Sequence, residues 1–81
     1  MKTRTTPHFD RAFLKFSAQV RRIYNKQVSF LMIDIRHPSL RAKKYDEAAG
    51  IWQMRVTSNV RAYFLIRGGV YIFLDIEKHR D

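Results

Sequence analysis

Residues 51–66 read IWQMRVTSNVRAYFLI, and their alternation decides the fold. Trp52, Met54 and Val56 fall on one side and Gln53 and Arg55 on the other, the period of a half-buried strand. Thr57, Ser58 and Asn59 interrupt the run, after which Val60, Ala62, Phe64 and Ile66 alternate with Arg61, Tyr63 and Leu65. The pattern predicts a β-hairpin. For its apolar sets to share a face, Val56 pairs with Val60 and Met54 with Ala62, since directly opposed residues point the same way. The connection is then three residues long and closes on Asn59 in left-handed backbone. The same register sets Arg55 opposite Arg61. Folding alone gives no reason to oppose two like charges; an anionic ligand does.

Outward from the hairpin, residues 70–77 form a last strand. Its apolar set Val70, Ile72, Leu74 and Ile76 shares the face of Val60 to Ile66 if Ile66 pairs with Val70, across a three-residue loop of Arg67, Gly68 and left-handed Gly69. In the other direction, LRAKKYD (40–46) reads as a strand bearing Arg41, Lys43 and Lys44, and DEAAG connects it to the hairpin. At the N-terminus, residues 2–6 are rich in β-branched Thr and suit an added strand. Thr6-Pro7 then marks a helix start, with proline where its missing N–H is harmless. Phe9, Ala12, Phe13 and Phe16 make one apolar stripe on that helix. Ser17 caps a second helix, whose stripe Val20, Tyr24, Val28, Leu31 and Ile35 runs until His37, which precedes Pro38. The two helices form an antiparallel pair. The expectation is an α+β domain spanning residues 1–81, with two N-terminal helices on one face of a small, twisted, mostly antiparallel sheet.

The opposite face then carries Gln53, Arg55, Arg61, Tyr63, Tyr71, Phe73 and Asp75, with Glu77 and His79 continuing the parity of Asp75. Sixteen Lys and Arg against seven Asp and Glu give a net charge of +9. A polyanion is the expected partner. Cations mixed with aromatics suit single-stranded nucleic acid, because guanidinium clamps phosphate and rings stack on unpaired bases. A more ordinary account pairs Asp75 with Arg61, but one aspartate does not neutralise Arg55, Arg61, Lys43, Lys44 and Arg80 together. There is no cysteine, hence no disulfide or thiolate metal site, and no histidine-carboxylate spacing suggests a metal. No apolar run spans a bilayer, and no basic amphipathic helix suggests a membrane partner. The N-terminus is too polar for a signal peptide, so a cytoplasmic protein is expected.

HPSLRAKKYDEAAGIWQMRVTSNVRAYFLI and the ending GGVYIFLDIEKHRD resemble the RelE/ParE superfamily of bacterial toxins. The resemblance spans nearly the whole chain. It implies a cognate acidic antitoxin and, in the RelE branch, metal-independent cleavage of messenger RNA on the ribosome; the ParE branch shares the fold but poisons DNA gyrase. A catalytically idle RNA-binding module is a third alternative. By position, Lys44 matches the family's lysine at the end of the preceding strand, and Arg55 a basic residue of the first hairpin strand. Arg61 matches the arginine of a YR pair, although Val60 stands where the aromatic is usual. His79 falls where a basic or acid-base residue is kept, and Gln53 where a charged one is common. These matches imply Arg55, Arg61, His79 and Lys44 as catalytic residues, with Lys43, Gln53, Tyr63 and Arg80 contacting RNA. His8 and His37 read as structural.

Overall fold

The computed structural model describes residues 1–79. Strand β1 (Lys2–Thr5) leads into helices α1 (Pro7–Leu14) and α2 (Ala18–Ile33) and a 3-10 turn (Pro38–Leu40); β2 (Lys43–Asp46), β3 (Ile51–Thr57), β4 (Val60–Arg67) and β5 (Val70–Lys78) follow. The sheet order is β1-β5-β4-β3-β2, with β1 parallel to β5 and the other neighbours antiparallel. Both helices lie on one face, as the apolar stripes predict.

Thr6 joins strand to helix. Its N–H donates to Phe73 O, at 3.1 Å, as β1 ends, and its hydroxyl accepts from Phe9 N, also at 3.1 Å, as α1 begins. One residue thus satisfies a ladder and caps a helix, with Pro7 at the first helical position. Phe9 and Tyr24 bring α1 and α2 onto Phe73 of the sheet, with ring centroids 5.3–5.7 Å apart. Burial holds the Tyr24 phenol well above its ordinary pKa, with the charge of Asp10 adding to the shift.

Helix α2 ends at Ile33, short of both Ile35 and the expected stop at His37. Asp34 takes extended backbone (φ −161°), and its carboxylate accepts from Arg36 N at 2.8 Å, a local turn that competes with helix continuation. Ile35 still packs against the core from outside the helix, which explains the misleading period. Pro38 opens the 3-10 turn, where the His37 ring caps Ser39 N and stacks on Phe30.

Both hairpin connections are shorter than expected, and each is compensated by a bulge. In the first, Thr57 rather than Val56 faces Val60, leaving a two-residue turn of Ser58 and Asn59. Asn59 is not left-handed; the Thr57 hydroxyl organises the turn, donating to Asn59 Oδ1 at 2.9 Å. Val56 is the extra residue, so Arg55 still faces Arg61. In the second, Arg67 faces Val70 across Gly68 and Gly69, whose φ values of 53° and 75° match the turn that suits strand twist. This shifts the register by one and turns Tyr71 and Phe73, expected on the uncovered face, into the core at 5% and 0% exposure. Leu74 is then bulged, with Tyr63 facing Asp75 and Phe64 facing Phe73. Beyond the bulge Ile76 returns to the helix side opposite Ala62, leaving Asp75 and Glu77 on the uncovered face.

Two outcomes test this arrangement. Deleting Leu74 removes the extra residue and leaves Phe73, Asp75 and Ile76 in plain alternation, so Ile76 stays opposite Ala62 in the core and Glu77 stays on the uncovered face. The variant should therefore keep a cooperative thermal transition by circular dichroism; loss of that transition would show that Leu74 does more than set the register. Because the folded-state pKa of Tyr24 is raised, its contribution to stability is full below about pH 10, the unfolded value, and declines as the pH rises beyond it. Urea titrations at pH 8 to 11 should show a shallower alkaline decline for Tyr24→Phe than for the wild type.

Candidate nucleic-acid interface

The site occupies the sheet face that the helices leave uncovered. Across β3, β4 and β5, Arg55 faces Arg61 and Arg61 faces Glu77; one row along, Gln53 faces Tyr63 and Tyr63 faces Asp75. Asp75, the neighbour expected for Arg61, instead lies 3.3 Å from His8 Nε2, so Glu77 is the carboxylate across from Arg61. His79 continues the parity of Glu77, and its N–H donates to Asn59 O at 2.7 Å. Arg61 Nη1 reaches the same turn, donating to Thr57 O at 2.7 Å and Val60 O at 3.1 Å. The register therefore gathers Arg55, Arg61 and His79 around one turn.

The two lysines separate. Lys43 pairs with Gln53 and shares the uncovered face, whereas Lys44 pairs with Trp52 on the helix side, its Nζ 5.3 Å from the Trp52 ring. Strand alternation sends neighbouring residues to opposite faces, so only one of the two can join the arginines. Gln53 and Tyr63 are placed on the face but are 8% and 9% exposed. Tyr45 covers Tyr63 edge-on at 4.9 Å and is itself 63% exposed. The accessible ring is therefore Tyr45, which the sequence reading passed over. Plain alternation puts Tyr45 on the face of Lys43, two residues before it, and that was the available signal. Arg4 was also missed; it joins this face through its parallel pairing with Ile72. The signal was its alternation with threonines in KTRT. Arg80 lies outside the described residues.

Burial, followed by the charge of Glu77, raises the Tyr63 pKa. Tyr63 is therefore a neutral phenol at physiological pH, a hydrogen-bonding group rather than a base. Tyr45, Ile51, Tyr63, Leu74, Asp75 and Glu77 line a depression of about 240 Å³ beside it.

Arg55 is anchored through its backbone. The Gln27 amide, buried on α2, donates to Arg55 O at 2.8 Å and Ser39 O at 3.0 Å, and Gln27 Oε1 accepts from the Ser39 hydroxyl at 2.7 Å. Strand β2 pairs only with Ile51, Trp52 and Gln53, so this amide caps a carbonyl on the free edge of β3.

No family model and no curated protein matches the sequence. Solved structures do. The YoeB/ParE toxin from Agrobacterium tumefaciens superposes with a TM-score of 0.79 over 99% of this chain and 100% of that one, at 15% identity. YafQ from E. coli gives 0.73 at 10% identity, covering 95% and 91% of the two chains. The RelBE2 toxin-antitoxin complex from Mycobacterium tuberculosis gives 0.62 at 25% identity, covering 98% and 96%. The architecture is that of small α+β toxins with two helices on one face of the sheet. The fold is that of the RelE/ParE-type toxins.

Replacing Gln27 by Leu keeps the volume but leaves two carbonyls without their donor. The urea midpoint should fall by the equivalent of about 2 kcal/mol, the scale of an unsatisfied buried polar group. An unchanged midpoint would mean that water replaces the amide at no cost.

Proposed function

We propose that this chain is the toxin of a toxin-antitoxin pair and a metal-independent endoribonuclease that cleaves messenger RNA on the ribosome. The observation that carries this reading is the Arg55–Arg61 cross-strand pair on the uncovered face, with His79 one step further along the same face. Two adjacent guanidinium groups suit a phosphate whose charge increases during the reaction.

In this mechanism the RNA's own 2′-hydroxyl attacks the adjacent phosphorus. The new O2′–P bond forms as the P–O5′ bond breaks; a base accepts the 2′ proton and an acid protonates the departing 5′ oxygen. The products are a 2′,3′-cyclic phosphate and a 5′-hydroxyl. Arg55 and Arg61 bind the nonbridging oxygens of the phosphorane, and His79 transfers a proton. Lys43, not Lys44, supplies the lysine charge on this face, and Tyr45 offers the surface on which an unpaired base stacks.

A partner is needed to hold such an activity in check. The solved RelB–RelE structure from Methanococcus jannaschii and the RelBE2 structure are both toxin-antitoxin complexes. The corresponding partner here is an acidic antitoxin covering the cationic face, with association driven and accelerated by charge complementarity. The setting is the cytoplasm, where ribosomes are found; no helix among the described residues is long and apolar enough to cross a membrane.

Programmed ribosomes carrying a defined message provide the test. Arg61→Ala should slow single-turnover cleavage by about 100-fold or more while changing RNA affinity much less, since its contact is strongest in the transition state. His79→Gln should slow single-turnover cleavage while leaving RNA affinity nearly unchanged, as expected for a residue that moves a proton. A single deoxynucleotide 5′ of the cut should abolish cleavage, and a chelator should have no effect. Cutting of the deoxy substrate, or a strict need for magnesium, would exclude this mechanism. If every RNA stays intact while DNA gyrase is inhibited, the ParE-type activity is the correct one.

A further inference from the structure

A second cationic site lies around the edge of the sheet, adjoining the phosphate clamp at Arg55. Because β2 stops pairing at Gln53, the end of β3 has a free edge, and a cleft of about 590 Å³ opens between it, α2 and the 3-10 turn. Lys26, Arg41 and Arg55 line this cleft with the hydroxyl residues Ser39 and Thr57, and no carboxylate is among the described lining residues. Three cationic residues lining one cleft with no carboxylate among them favour an anion as its occupant.

The turn that presents Arg41 is firmly built. His37 stacks on Phe30 at 4.1 Å and caps Ser39 N; Gln27 holds Ser39 at both its carbonyl and its hydroxyl; Leu40 is fully buried. These anchors hold Arg41 at φ 45°, and it is the only non-glycine among the described residues with positive φ. Left-handed backbone costs an ordinary residue about 1–2 kcal/mol, and glycine would occupy the position without that strain. A strained, exposed arginine at the mouth of a cationic cleft is better explained by ligand binding than by folding. Lys26 lines the same cleft from α2, one turn before Phe30, whose ring lies 5.9 Å from its Nζ.

We propose that this cleft is an anion subsite that holds an RNA phosphodiester next to the one being cleaved, with Lys26 and Arg41 as its binding residues. The proposal rests on the ribonuclease reading. Arg55 supports RNA over an acidic peptide as occupant: it lines the cleft and is the direct cross-strand neighbour of Arg61, so a strand clamped at Arg61 carries its next phosphates past this opening.

The test uses Arg41→Gly and Lys26→Gln, singly and together, in the full chain. Glycine suits the left-handed position, so Arg41→Gly should melt at or above the wild-type temperature and any binding defect is not a folding defect. Binding is measured by fluorescence anisotropy on a single-stranded RNA made uncleavable by a 2′-deoxy substitution, which separates the subsite from catalysis. The double variant should bind about tenfold more weakly at moderate salt, the scale of one charge-assisted hydrogen bond. Its slope of log affinity against log salt should fall by about 0.7, as for one lost phosphate contact. Its single-turnover rate at saturating message should match wild type, unlike that of Arg61→Ala. Unchanged affinity and slope in the double variant would overturn the subsite and leave the ribonuclease reading standing. Weakened binding in a protein that cuts no RNA would uphold the subsite and reject that reading. Loss of polyglutamate binding with RNA binding intact would overturn the proposal in favour of an acidic protein.

Discussion

Burial of Phe64 against Phe73 beneath both helices is the constraint on which the rest of the sheet depends. Both rings are fully buried, with centroids 5.2 Å apart, and Phe9 and Tyr24 reach Phe73 from α1 and α2. In an antiparallel pair, residues that meet in the core must be directly opposed, so this contact fixes the β4–β5 register. The two-glycine turn delivers it, but uninterrupted alternation would then carry Glu77 to the helix side and Ile76 out. The extra residue at Leu74 resolves that conflict. The bulge that completes the core also sets Asp75 and Glu77 beside Tyr63 and Arg61.

Holding cations close together requires restraints from elsewhere in the fold, because a net charge of +9 in a small domain opposes compaction. Arg55 is fixed through its carbonyl by Gln27, and Arg41 by the turn that Gln27, His37 and Leu40 stabilise. One buried amide therefore supports a residue of the sheet face and a residue of the edge cleft. Truncating it would disturb both.

The strands, the helix starts and the Arg55–Arg61 opposition were legible in sequence because each follows from a local rule: period two, a Thr-Pro cap, directly opposed partners. Loop length was not legible. A three-residue loop and a two-residue turn followed by a bulge send the same side chains to the same face further along the strand, and alternation does not reveal where the extra residue sits. At Val56 the ambiguity was harmless, since Arg55 faced Arg61 either way. At Leu74 it moved Tyr71 and Phe73 across the sheet and exchanged Asp75 for Glu77 opposite Arg61. The Lys43-Lys44 dipeptide shows the same sensitivity, because a one-residue difference in parity decides which lysine joins the arginines. Helix α2 was read too long because Ile35 satisfies the helical period while the Asp34 carboxylate has already turned the backbone.

The position of Arg61 reconciles structural restraint with the reactive role proposed for it. A guanidinium carries five N–H donors in a planar fork. Its Nη1 donors are directed at the carbonyls of the β3–β4 turn, leaving the donors of Nε and Nη2 for an anion. A flexible arginine would have to lose side-chain freedom as charge accumulates on the phosphate, whereas one already tied to the turn has much of that ordering in place. The same turn accepts the backbone N–H of His79. Its geometry thus couples the charged donor to the residue proposed to move a proton, and the Thr57 and Asn59 side chains that hold it belong to the site's framework.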